Sequence, residues 1–149
     1  VIHYDEFFDD EKNFFAVQHP CQNIGMCEFT SLSRKDFPLE RNKNSLAYVG
    51  YDQQVDDIYV QGCVWGGKVP AIFDLIETLS DRVTKDLDNG IIATVRDESH
   101  LNKYRIDNIE DFHILSPSFA KPGDYRDDQF TFNARIIHSP SDKKEILNS

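Results

Sequence analysis

The stretch from Pro70 to Gly90 constrains this chain more than any other. Apolar residues at Ile72, Leu75, Ile76, Leu79, Val83 and Leu87 recur at helical intervals and fall on one stripe. Pro70 suits the first helical turn, where a missing N–H costs nothing, and Asn89-Gly90 supplies a C-terminal stop. A helix with one apolar stripe must bury it, so the remaining chain has to offer a complementary face.

Five segments could build that face. Residues 14–18, "FFAVQ", form a compact apolar run that ends at His19-Pro20, as a buried strand would. "DIYVQGCVWGG", from Asp57 to Gly67, is rich in β-branched and aromatic residues and closes on a glycine pair. "IIATV" (91–95) and "FHILSP" (112–117) read as further short strands, and "QFTFNARIIH" (129–138) alternates well enough for another. Between 91–95 and 112–117 lies "DESHLNKYRI", a short helix with Asp97 or Ser99 as its N-cap. This alternation predicts a three-layer α/β protein, too short for a whole doubly wound domain. Residues 20–45 are irregular and long for a connection, which points to a functional loop.

Length and charge narrow the function. The 149 residues suit a single domain, and a net charge of −10 makes nucleic acid or anionic lipid an unfavourable main partner. No apolar run is long enough to cross a bilayer. Cys21, Cys27 and Cys63 are too few and odd in number for a disulfide framework, and no Asn-x-Ser/Thr sequon occurs. These features favour a reducing, cytoplasmic setting. A zinc ion shared by His19, Cys21 and Cys27 lacks a fourth ligand in a fitting pattern.

The chemistry-bearing candidates cluster in "RDESHLNKY", Arg96 to Tyr104. Two adjacent carboxylates, Asp97 and Glu98, open the short helix. Acidic first turns are common because the helix dipole stabilises them, so a structural and a catalytic reading both stand. His100 and Tyr104, four apart on one face, suit the core, and the amide of Asn102 suits a supporting role. Gly66-Gly67 permits a tight turn or a close backbone approach. The pair Asp86 and Asp88 ends the long helix and reads as a solvated face rather than a metal site.

Three pieces taken in order, "YVQGCVWGG", "DLDNGIIATVRDESHLNKY" and "ILSP", resemble glycosyltransferase family 6, the retaining ABO histo-blood-group and α-1,3-galactosyltransferase family. Asp97 to Tyr104 match its Asp-Glu-Ser-His-Leu-Asn-Lys-Tyr core without a gap. Asn89-Gly90-Ile91 and Leu115-Ser116-Pro117 flank that core at fitting distances, and Gln18-His19-Pro20 resembles the start of the family's acceptor loop. The family's Trp-His before Asp-Glu is Val95-Arg96 here, and its specificity triplet reads Gln61-Gly62-Cys63.

The resemblance implies a GT-A-like α/β fold, a mixed sheet with flanking helices, of which residues 1–149 would be the acceptor-side, catalytic portion. It implies transfer of galactose or N-acetylgalactosamine from a UDP-sugar to the 3-hydroxyl of a β-galactoside. Glu98 would be the central carboxylate, as nucleophile or electrostatic support. Asp97 and His19 would bind sugar, Gln61 and Cys63 would shape donor and acceptor choice, and Trp65 would offer a stacking face. The family is longer on its N-terminal side, where an Asp-x-Asp motif grips Mn2+ and the pyrophosphate; no such motif is visible in this chain. Lys143 and Lys144 read first as a solvated terminus, with phosphate contact, as made by basic tail residues of the family, the functional alternative. Vertebrate members are Golgi proteins and bacterial ones are soluble; the features above favour the bacterial case. A glycan-binding module without catalysis is the alternative reading. An incomplete sheet would leave an edge exposed, which predicts self-association.

Overall fold

The computed structural model describes residues 4–20, 37–53, 56–123 and 132–138. Strand β1 (Phe14–Gln18) lies at the centre of a three-stranded sheet, between β2 (Val60–Gly67) and β3 (Phe112–Leu115). β2 runs antiparallel to β1 and β3 runs parallel to it, so the sheet is mixed. Helices α1 (Ala71–Asp88) and α2 (Arg96–Asp107) connect β2 to β3. The expected mixed α/β architecture with flanking helices is present.

Alternation along β1 divides the interior. Phe14 and Ala16 face the helices and join Val60, Leu75, Leu101 and Phe112 in one core, with Trp65, Leu79 and Tyr104 packed around it. Val17 faces the other way, with Leu115, Phe119 and Ala120, and Phe7, Phe15 and Val64 pack there too. Among the described residues, the second face of the sheet is covered by aromatic segments, and no α-helix packs there. Phe7 and Phe8 meet Phe15 edge-on, at centroid distances of 5.4 and 5.2 Å.

The α1 stripe is only partly buried. Leu75 is fully enclosed and Ile72 and Leu79 pack on the core, but Ile76 and Leu87 are exposed. The buried residue near the end of the helix is Asp86. The stop is as expected. Gly90 takes φ 71°, and the N–H groups of Gly90 and Ile91 return to the carbonyls of Leu87 (2.9 Å) and Asp86 (2.8 Å).

Two expected strands are corrected. Residues 91–95 are irregular, with Ile92 exposed, because their amides are bound by side chains instead of a neighbouring strand. Thr94 N–H donates to the Glu40 carboxylate (2.6 Å), and Val95 N–H to Ser99 Oγ (2.9 Å). Within 129–138 only β5 (Ile137–His138) is strand, paired with β4 (Lys121–Pro122); Arg135 and Ile136 N–H instead bond Ser118 O, and 129–131 lie outside the described residues. Neither Asp97 nor Ser99 is the N-cap of α2. That position is Val95, and Ser99 serves the turn from inside the helix. Cys21, Cys27, Lys143 and Lys144 lie outside the described residues. No helix among the described residues is long and apolar enough to cross a membrane.

Candidate active site

The site is built where α2 runs along the free edge of β2. Among the described residues that edge has no strand partner, so its backbone polar groups need other partners. Side chains of α2 supply them. Glu98 Oε2 accepts from Gly62 N–H (2.6 Å). The Asn102 amide both accepts from Val60 N–H (3.0 Å) and donates to Val60 O (2.8 Å), as a strand neighbour would. Arg105 donates to Ile58 O (2.9 Å) and holds Asp56 in a bidentate pair at 2.6 and 2.8 Å. Residues 98, 102 and 105 share one helical stripe, and 58, 60 and 62 follow the two-residue period of the strand.

Glu98 is fixed at both oxygens, because Tyr59 Oη donates to Oε1 at 2.8 Å. Gly62 makes this approach possible: a Cβ there would lie 3.3 Å from Glu98 Cβ and 3.4 Å from Oε2. Burial pushes the Glu98 carboxyl above its ordinary range. The Gly62 and Tyr59 hydrogen bonds pull the other way, and neighbouring Asp97 adds to the rise. Burial, reinforced by Glu98, pushes the Tyr59 phenol far up, so it remains a proton donor.

Glu98 opens onto a cleft of about 560 Å³, walled by Gly62 and Cys63 of β2 and by Thr94 to Asp97 at the start of α2. That volume suits a small ligand such as a sugar ring. Glu40 fixes the far wall. Its buried carboxylate accepts from Thr94 N–H and Oγ1 and from Asn42 N–H. Burial raises its pKa, but these bonds outweigh that and hold it below the ordinary carboxylate range.

The structure brings together Glu98, Asp97 and Cys63 of the residues expected in the site. It does not bring Gln61, Trp65 or His19 into the cleft lining. Gln61 is buried, donates to Ala120 O (3.2 Å) and accepts from Cys63 Sγ (2.8 Å). Trp65 Nε1 bonds Gly62 O (3.1 Å) while the ring packs on the core. His19 sits behind Tyr59, ring to ring at 5.9 Å, and burial lowers its pKa to about 4. Gly66 and Gly67 serve close approach: a Cβ at either would come within 2.7 Å of Phe15 or Phe14.

Asp86 is no solvated face, which corrects that expectation. It accepts from Ser45 Oγ (2.5 Å) and Leu46 N–H (2.9 Å) and lies 3.6 Å from His100 Nε2. The 39–49 segment is thereby tied to both helices. His100 is buried, as its spacing suggested, and burial lowers its pKa against the opposing pull of Asp86. No group of three His, Cys, Asp or Glu among the described residues forms a metal cradle. Sequence reasoning passed over Tyr59 and Gly62. The matching periods of Glu98, Asn102 and Arg105 against 58, 60 and 62 were the signal for Gly62, and no spacing singled out Tyr59.

Residues 3–147 match the profile of glycosyltransferase family 6. The chain is 34% identical over 91 residues to the globoside alpha-1,3-N-acetylgalactosaminyltransferase 1 of Homo sapiens, covering 61% of this chain and 25% of that protein. It is 37% identical over 105 residues to the histo-blood group ABO system transferase 2 of Rattus norvegicus, covering 70% and 28%. Identity is also 37% over 101 residues to the O-antigen biosynthesis glycosyltransferase WbnI of Escherichia coli, covering 68% and 40%. The matches thus span between a quarter and two fifths of these relatives' lengths. With nearly the whole chain matched and its carboxylate pair beside the cleft, this protein belongs to glycosyltransferase family 6.

Proposed function

We propose that the chain is the acceptor-side, catalytic portion of a retaining GT-A glycosyltransferase. It moves galactose or N-acetylgalactosamine from a UDP-sugar to the 3-hydroxyl of a β-galactoside. The observation that carries this reading is the Glu98 carboxylate, held at both oxygens by Tyr59 and Gly62 on the wall of a sugar-sized cleft. Breaking the bond from anomeric carbon to phosphate leaves positive charge on the sugar, and a fixed carboxylate stabilises it or attacks it. Each Glu98 oxygen keeps a free lone pair for that task. Asp97, exposed beside it, accepts sugar hydroxyls, and Cys63 narrows the opposite wall.

The test is Glu98→Gln, assayed for transfer of galactose from UDP-galactose to lactose. Glutamine can accept from Gly62 and donate to Tyr59, so the fold should hold while turnover falls by on the order of 10³. Undiminished turnover would overturn the reading. A second reading, a glycan-binding module, is favoured by the structural use of Glu98 in joining α2 to β2. In that case the wild-type chain binds lactose, transfers nothing, and Glu98→Gln alters neither property. Self-association through an exposed sheet edge belongs to the same proposal, and sedimentation as a single monomeric species would refute it.

A further inference from the structure

Arg96 opens α2 with its backbone at φ 49°. That is the left-handed region, which glycine enters freely and other residues at a cost, and such strain gathers at functional positions. The side chain lines the cleft and also a neighbouring apolar cavity of about 290 Å³ beside Ile92 and Leu87. It is the only cation among the described residues that line the cleft. It shares that cleft with Asp97 and Glu98, yet forms no ion pair or hydrogen bond through its guanidinium among the described residues.

A strained backbone therefore holds a guanidinium, unpaired among the described residues, beside a carboxylate that is already fixed. Opposite charges kept apart in one cavity suit a substrate whose reacting bond separates charge. We propose that Arg96 is the anion-binding residue of this cleft and takes the diphosphate group of the sugar donor. The inference deepens the catalytic reading above and rests on it. When the bond from anomeric carbon to phosphate oxygen breaks, its electron pair stays with that oxygen. The diphosphate gains negative charge facing Arg96, and the sugar gains positive charge facing Glu98. The acceptor hydroxyl then forms the new carbon–oxygen bond, and its proton leaves with the diphosphate.

Calorimetric titration of the full chain with inorganic pyrophosphate, inorganic phosphate and methyl β-galactoside tests this. Three proteins are compared: wild type, Arg96→Lys and Arg96→Gly. Arg96→Gly removes the guanidinium and also relieves the backbone, so its thermal midpoint should rise. Pyrophosphate affinity should fall roughly tenfold or more in Arg96→Gly and less in Arg96→Lys, with galactoside affinity unchanged. Wild type should prefer pyrophosphate to phosphate. No pyrophosphate binding by wild type, equal affinity for the two anions, or full affinity in Arg96→Gly would each overturn the assignment. Those outcomes say nothing against Glu98. Full turnover by Glu98→Gln, conversely, would remove the catalytic reading and leave an Arg96-dependent anion site standing.

Discussion

Strand β2 is held on its two sides in different ways. Toward β1 it forms a backbone ladder, Phe14 opposite Gly67 and Ala16 opposite Trp65, which many sequences could form. Toward α2 the bonds come from Glu98, Asn102 and Arg105, and each depends on one residue type. The inner seam is bonded through backbone, while the outer seam is bonded through side chains and opens onto the cleft. In the catalytic reading proposed above, chemistry sits on the outer seam because a carboxylate reaching a strand edge is held rigidly without being enclosed.

Breaking the middle of the outer seam gives the largest expected stability effect. Asn102→Ala leaves the N–H and C=O of fully buried Val60 unpaired, at a cost of about 4 kcal/mol in chemical unfolding. A loss under 1 kcal/mol would mean that water or a shifted α2 replaces the amide.

The junction of the two seams gives the next effect. His19 N–H bonds Tyr59 O at the end of β1, and its ring has a pKa lowered from 6.5 to about 4 by burial. The folded state therefore resists a proton that the unfolded chain accepts. Its contribution is present above pH 6.5 and is lost as pH falls toward 4, about 3 kcal/mol in all. His19→Phe should flatten the stability profile over that window relative to wild type. An unchanged slope would mean that His19 takes up its proton in the folded protein.

The smallest effect sharpens the outer seam alone. Tyr59→Phe removes one of two hydrogen bonds to the Glu98 carboxylate, costing about 2 kcal/mol of carboxylate stabilisation. Since that bond opposes the effect of burial, its loss should raise the Glu98 pKa further. If ionised Glu98 is the working form, the acid limb of the rate profile moves to higher pH in the variant. Carbon-13 NMR titration of Glu98 reads the same shift without turnover, and an unmoved midpoint would show that Tyr59 does not tune it.

Much of this was legible in the residues. β1, β2, α1, α2 and β3 follow from local periodicity and turn chemistry, because each buries a face that its own sequence declares. The 91–95 segment misled because "IIATV" has strand composition, while its conformation is decided by Glu40, more than fifty residues away. The carboxylate pair was legible as a motif, but its restraint was not, since Tyr59 and Gly62 become meaningful only when α2 lies against β2. Gln61 misled for a related reason: it shares a strand face with Cys63 and accepts from its thiol, but its longer amide reaches away to Ala120 O, so only Cys63 lines the cleft.

The outer seam also acts as a vernier. Seven residue steps along α2, from 98 to 105, advance about 10 Å, and four steps along the extended segment from 58 to 62 advance about 13 Å. Two rulers with different rulings coincide at three marks only when their relative slide and rotation are both fixed. Deleting one residue between Glu98 and Asn102 would turn the later side chains by about 100° and pull both off the strand together. Between its three contact residues this stretch can therefore tolerate changes of residue, but not changes of length.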